Sequence, residues 1–468
     1  MSIVLRITGE QNRMLRDHLF PGDGYEAVSV GVCGRHRATK HHILCLRQIT
    51  HVPYDDCSVR KTDRVTWRTG QLNELLDEAT QRGEAIIKFH SHPNGLDQFS
   101  LVDDKSDADL FASVHGWTDG EEPHVSVIML PSGRMIARAV HTDGSFSPIA
   151  RISIAGDDIT FFDKDHDQGV VKKEQDRHAR LFGESTTRLM HRLSVGVLGC
   201  SGTGGPLCEM LGRLGIGHLV AVDPDVVSFE NLNRIPNSTR DDAEKSILKV
   251  DIVARAINSI GMGTVVVPIA ENIAESTNAV RALAGCDVLF GCVDSAEGRH
   301  VLTKIATFYN IPYFDTGVKL EAGHGGRIDQ VCGSVHYLQP GKSTLFDRGV
   351  YDMERVRAEG LQRCNPEVYH EQLRNNYIQG VDEIRPAVVS VNTLFAARAV
   401  NEFLARLHPY RLDDNIETAA YRESLSQMER YHFREDRYDR ALLAKYVGHG
   451  DIRPLLNSPE LTEREVCT

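Results

Sequence analysis

Leu193-Ser194-Val195-Gly196-Val197-Leu198-Gly199-Cys200-Ser201-Gly202-Thr203-Gly204-Gly205 is the stretch on which the fold turns. Leu193–Leu198 is a short apolar run of the kind that forms a strand buried on both faces. Glycines follow, and Thr203–Leu214 has helical spacing. A strand that runs through glycines into a helix lets the backbone approach phosphate oxygens, and the helix N-terminus offers free N–H groups and a positive dipole end. Gly199, Gly202 and Gly204 are the candidate phosphate contacts. Ser201 stands where a GxGxxG loop has its second glycine, so the loop alone resembles that of any dinucleotide enzyme.

Outward from this loop, Leu219–Val222, Cys286–Phe290 and Pro312–Phe314 read as further strands, and Val250–Ser259 and Arg299–Tyr309 as helices. This alternation predicts a doubly wound, mostly parallel sheet. The second strand ends in Asp223-Pro224-Asp225, with Val227 and then Glu230-Asn231-Leu232-Asn233-Arg234 behind it. Asp223 stands where an acidic residue bonds ribose hydroxyls. Arg234 can fork onto phosphate oxygens, Asn231 adds a donor, and Lys249 adds a point charge. Asp294 closes the third strand, where a carboxylate can hold Mg²⁺ against the phosphates. Singly, Asp225 could cap a turn, Arg299 anchor a helix and Asn233 sit in a loop. Jointly, in this order, they suit a triphosphate.

The set resembles the ThiF/MoeB/ubiquitin-activating superfamily, through DxDxVxxxNLxR, the Lys249 motif and Asp294 followed by Arg299. The resemblance runs from about Arg177 to about Leu407. Arg177-His178-Ala179-Arg180-Leu181-Phe182-Gly183 also resembles that family's RxxR opening, which implies a homodimer with Arg180 reaching the partner's ATP. The reaction implied uses ATP and Mg²⁺: a protein C-terminal carboxylate attacks the α-phosphate to give an acyl-adenylate and pyrophosphate. The family's paired CxxC zinc motifs are absent after Pro340-Gly341, so no zinc is expected there. Cys364 is the best candidate for a thioester nucleophile, with Arg363 favouring its thiolate. Cys200, Cys292 and Cys332 read as structural.

A second constellation lies near the N-terminus. Val28–Val32, His42–Ile49, Ala85–Lys88 and His124–Leu130 read as strands, Gln71–Arg82 as a helix, and another helix follows Asp103. In Lys88-Phe89-His90-Ser91-His92-Pro93 the two histidines project to one side, because side-chain direction repeats every second residue of a strand. With Asp103 they make a two-His, one-carboxylate set suited to catalytic Zn²⁺. Glu26 is the candidate general base. Glu26, the HxHP motif, Ser100 and Asp103 together resemble the JAMM (JAB/MPN) metalloprotease family over about the first 145 residues. That resemblance implies a cytidine-deaminase-like α/β domain. It makes His90, His92 and Asp103 zinc ligands, Glu26 the acid/base and Ser100 an oxyanion donor.

The 468 residues are too many for one core. The expected organisation is a metallopeptidase domain at 1–150, a charged linker at 151–175, an adenylation domain at 176–410 and a helical extension at 411–468. A net charge of -12 argues against nucleic acid or a membrane surface as partner. No apolar run spans a bilayer, the N-terminus does not read as a signal peptide, and the ten scattered cysteines suit a reducing compartment. A cytoplasmic location is expected. The implied function is activation of a ubiquitin-like (β-grasp) protein for a conjugating enzyme, combined with peptidase processing or removal of that modifier. Fused proteins of this kind occur in bacterial ubiquitin-like modification operons, and antiphage defence is an expectation from that resemblance alone. Activation of a sulfur-carrier protein is the alternative.

Overall fold

The computed structural model describes residues 1–164, 171–323, 325, 327–375, 386–435 and 442–462. The chain divides into two compact units. One comprises Met1–His166 with Thr307–Asn310 and Lys445–Ile452, and the other holds the remainder.

In chain order the first unit contains β1 (Ser2–Thr8), α1 (Gly9–Leu19), β2 (Val28–Arg37), β3 (His41–His51), β4 (Cys57–Arg60), β5 (Val65–Trp67) and α2 (Gly70–Arg82). Then come β6 (Ala85–Ser91), α3 (Leu101–Thr118), β7 (His124–Met129), β8 (Met135–Val140), β9 (Phe146–Pro148), β10 (Arg151–Ala155) and β11 (Ile159–Asp163). Nine of these strands form one sheet, ordered β11-β10-β1-β3-β2-β6-β7-β8-β9, and β4 and β5 pair as a separate hairpin. The central strands are buried on both faces. Leu5, Ile7, Leu44, Ile87, Phe89 and Val127 pack with Leu15 and Leu19 of α1, while Val30, Val32 and Ile86 pack with Leu72, Leu76 and Phe111 of α2 and α3.

The charged stretch at 151–175 is only in part a connection. Ile152 and Ile154 face the core, and Arg151 lies opposite Asp163 with Nε donating to Oδ1 at 2.5 Å. Its charges therefore decorate a strand pair, and residues 165–170 lie outside the described residues.

The second unit runs α4 (Asp176–Arg192), β12 (Ser194–Leu198), α5 (Gly204–Leu214), β13 (His218–Val222), α6 (Arg240–Glu244), α7 (Lys249–Ile260), β14 (Val265–Ile269) and α8 (Thr277–Ala284). It continues with β15 (Val288–Gly291), α9 (Ala296–Phe308), β16 (Tyr313–Ala322), β17 (Ile328–Leu338), α10 (Met353–Cys364), α11 (Pro366–Arg374), α12 (Val389–Leu407), β18 (Ala420–Ser424) and β19 (Glu429–Phe433). The sheet order is β14-β13-β12-β15-β16-β17-β18-β19. From β14 to β16 every pairing is parallel, and β12 lies at the middle of a 3-2-1-4-5 order, the Rossmann-type arrangement. From β16 to β19 every pairing is antiparallel, so the sheet is mixed rather than mostly parallel. The expected helical extension at 411–468 is corrected as well. Its first part supplies strands β18 and β19, and the described remainder forms 3₁₀ turns. No described helix is long and apolar enough to cross a membrane.

Candidate functional site

β6 carries His90 and ends one residue before His92, and α3 begins after Ser100. Ser100 caps that helix, accepting from Asp103 N, while Ser100 N and Oγ both donate to Asp103 Oδ2 at 2.7 Å. The cap turns the Asp103 carboxylate back toward the strand. His90 Nε2 lies 3.1 Å from Asp103 Oδ1, His92 Nε2 lies 3.5 Å from Asp103 Oδ2, and the two Nε2 atoms are 3.1 Å apart. Donors about 2.0–2.2 Å from a tetrahedral ion stand about 3.3–3.6 Å from one another, so the triangle has nearly the size a zinc would need. These three residues are the one cluster of this kind among the described residues.

The ring tautomers agree with that use. His92 Nδ1 donates to Leu96 O at 2.8 Å, which leaves Nε2 with a lone pair directed at the cluster. Burial holds the His90 pKa down to about 4, keeping the ring in the neutral form a ligand must have. His90 Nδ1 is buried without a partner among the described residues. Burial opposes ionisation of Asp103, yet the His90 and His92 rings beside it outweigh that and hold the carboxyl far below the usual range.

Glu26 reaches the same face by sheet register. Val28 pairs with His90, Ser91 N donates to Ala27 O, and continuing the register sets Glu26 opposite His92. Glu26 is buried, which pushes its pKa from 4.5 up to about 7. A carboxyl poised there is suited to exchanging protons near neutral pH. It also makes a thermodynamic prediction for the metal-free protein. The folded state keeps the Glu26 proton to higher pH than the unfolded state, so this group's contribution is complete below about pH 4.5 and is lost as pH rises through about 7. Glu26→Gln is expected to gain thermal stability over wild type between about pH 5 and about pH 8 in chelator. A Tm difference that does not change with pH would overturn this.

The local motif gave no hint of what holds α3 in place. Asp107, one turn beyond Asp103, is fully buried; it accepts from Lys88 Nζ and from Arg138 Nη2 at 2.7 Å. Arg138 also bonds Asp104, and its guanidinium sits between the Phe99 and Phe146 rings at 3.8 and 3.9 Å. One side chain of β8 thus ties down the loop before Ser100 and the first two turns of α3. Spacing offered two signals: Lys88 shares the strand face of His90, and Asp107 shares the helix face of Asp103. Arg138→Ala is expected to weaken zinc affinity about 10–100-fold, read with a chromophoric chelator. Wild-type affinity in a folded Arg138→Ala protein would sink that role.

In the second unit the sheet places the other residues around the switch point between β12 and β15. Gly199 has φ +90°, and a Cβ there would stand 2.7 Å from Cys292 O; a Cβ at Gly204 would collide with Gly199 O. The loop closes only with glycine at these positions. Asp223 Oδ2 accepts from Cys200 N at 2.7 Å and Oδ1 from Asp225 N at 3.0 Å, so one carboxylate oxygen braces the loop expected to approach phosphates and the other the turn after β13. Burial raises the Asp223 pKa. Lys249 Nζ bonds Asp225 Oδ2 at 2.6 Å. Asn231 Oδ1 accepts from Ser228 N at 3.2 Å, an arrangement that occupies the carbonyl end of its carboxamide rather than the donor end. Arg234 Nη1 donates to Glu230 O at 2.9 Å, and its stem lies against Gly202. Asp294 is exposed just past β15, while Arg299 is paired with buried Asp315 at 3.1 Å.

Two expectations fare differently. Arg180 is exposed and pairs with Asp176 in its own helix at 2.8 Å, touching none of these residues. Cys364 is exposed at the end of α10, but Arg363 is bound to Glu297 and Glu275. Its charge is therefore answered by two carboxylates. Cys200 is buried, and Cys292 and Cys332 are partly so.

Part of this chain is similar to known proteins. Ubiquitin-like modifier-activating enzyme 5 of Drosophila ananassae is 30% identical over 164 residues, which is 33% of this chain and 39% of that protein. The adenylyltransferase and sulfurtransferase MOCS3 of Caenorhabditis briggsae is 27% identical over 180 residues, 37% of this chain and 42% of that protein. The chain thus spans about two fifths of the length of these curated relatives. Among solved structures, E. coli MccB with ATP covers 59% of this chain and 74% of its own, at 16% identity and a TM-score of 0.41. The ThiF family itself matches residues 175–441, more than half of the sequence and almost all of the second unit's sheet and helices. On that match, the chain belongs to the ThiF family.

Proposed function

We propose that the second unit adenylates the C-terminal carboxylate of a ubiquitin-like (β-grasp) protein, and that the first unit is a JAMM-type (JAB/MPN) zinc peptidase acting on the same modifier. The observation that carries the first half is the gathering of Gly199–Gly204, Asp223, Arg234 and Asp294 around one switch point of a ThiF-family sheet. In that step the carboxylate oxygen bonds the α-phosphorus of ATP and the bond to the β-phosphoryl oxygen breaks, leaving an acyl-adenylate and pyrophosphate. Negative charge spreads over phosphoryl oxygens, so the loop N–H groups and Arg234 would hold them, and Asp294 would hold Mg²⁺. Arg180, exposed on α4, would complete a site in a second copy of a homodimer.

The second half is supported by the triangle of His90, His92 and Asp103 with Glu26 in register beside it. A zinc held there would supply Lewis acidity and an acidified water. Glu26 would take the water proton and return it to the leaving amine, and Ser100 would donate to the developing oxyanion.

A conjugating enzyme would take the activated modifier, with Cys364 as the proposed thioester site. The relative named adenylyltransferase and sulfurtransferase favours a second reading, in which the carrier receives sulfur instead. The test is ATP–pyrophosphate exchange with Mg²⁺ and each small β-grasp protein encoded beside the gene, followed by a non-reducing gel. Exchange with one of them is the expected result, and a thioester lost in Cys364→Ser would select conjugation over sulfur transfer. If none of them supports exchange, activation is rejected.

A further inference from the structure

Helix α12 starts at Val389, and Val388 at its cap offers the first-turn N–H groups no side-chain acceptor. Asn392 lies in that turn and is only 6% exposed. Its carboxamide has no hydrogen bond to any described residue. A largely covered side chain whose amide has no protein partner is free to bond whatever enters beside it. The carboxamide nitrogen stands where a Cβ at Gly202 would be, beside Arg234 Cδ at 3.2 Å from that same point. It therefore packs onto the glycine loop at Gly202, in the space that residue's missing side chain leaves, next to Arg234.

We infer that Asn392, with the amino end of α12, is a binding element for the phosphoryl oxygens of a nucleoside triphosphate. The inference rests on the adenylation reading. The chemistry is complementary: a neutral N–H donor at a positive helix end faces anionic oxygens, while Arg234 carries the full charge. Nothing in the glycine loop or the DxDxVxxxNLxR segment includes this residue. It comes from a helix about 190 positions downstream of Gly202 and closes the loop from the opposite side.

The test is ATP affinity by titration calorimetry on the full chain, with Tm as the folding control. Asn392→Asp keeps the shape and reverses the electrostatics, and Asn392→Ala deletes both. A phosphate contact predicts that Asp is worse: about tenfold or more for Asn392→Asp and about two- to tenfold for Asn392→Ala. A packing role predicts the reverse order. Wild-type affinity in Asn392→Asp, or a larger loss in Asn392→Ala, overturns the inference while leaving adenylation standing. If Asn392→Asp does not fold, Asn392→Ala alone decides: unchanged affinity for ATP and for inorganic pyrophosphate overturns it. A wild-type chain that binds no ATP removes the adenylation reading and this inference together.

Discussion

Glu26→Gln is expected to lower hydrolysis of a ubiquitin-like fusion by about 10²–10⁴-fold while zinc content and ATP–pyrophosphate exchange stay at wild-type levels. Gln keeps the size of the side chain and its place opposite His92, but it cannot accept a proton. Glu26 donates no ligand atom to the His90–His92–Asp103 cluster, so the metal should remain. His92→Ala is the companion variant. It removes one vertex of the triangle and should lose both zinc and hydrolysis. The pair separates chemistry from binding, because only the first variant is zinc-replete and inactive. Full hydrolysis by Glu26→Gln would remove the general-base assignment, and full zinc occupancy in His92→Ala would remove the ligand assignment. Cleavage that survives both would mean that another site does the hydrolysis.

What sequence could show of this site follows from distance along the chain. His90, His92, Ser100 and Asp103 fall within one strand end and one helix start, so alternation and capping rules are enough to bring them together. Glu26 is farther off, yet it sits at the head of a strand whose register with β6 brings it back. Arg138 and Asn392 were not legible. Each acts from an element remote from its motif, and a lone Arg or Asn in an amphipathic run carries no local mark of its partner.

The same distinction explains the fold. Val195, Val197 and Leu198 form a short apolar run that only a buried parallel strand accommodates, and the loop and helix behind it have their own signals. β19 is largely exposed and β18 mostly buried, and their charges disguise the period of two. Glu423 pairs with Arg430 directly across the ladder at 2.9 Å, a contact that looks helical only when the residues are read in line. β10 and β11 are hidden the same way, by Arg151 and Asp163. In each case cross-strand pairing converts a charged stretch, which resembles a linker or a helix, into the edge of a sheet.

Asp294→Ala is expected to reduce ATP–pyrophosphate exchange by about 10²–10³-fold and to leave hydrolysis untouched. The position makes the result interpretable. Asp294 is exposed, so its removal leaves no buried group unpaired and should change Tm little. Arg299, five residues on, is the contrasting control. Its guanidinium answers the fully buried Asp315, and deleting it should cost about 3–5 kcal/mol of stability, because the buried carboxylate then keeps only the Tyr313 hydroxyl, a neutral partner. Loss of exchange in Arg299→Ala would therefore say little about phosphate chemistry, whereas the same loss in a stable Asp294→Ala would. Asp294→Asn sharpens the point by keeping the shape and an oxygen while removing the charge that would hold Mg²⁺. If raising Mg²⁺ restores part of the exchange in Asp294→Asn, the carboxylate acts through the cation. If Asp294→Ala exchanges as wild type does, Asp294 is not the metal-holding carboxylate, and the strand end past β15 has been assigned the wrong role.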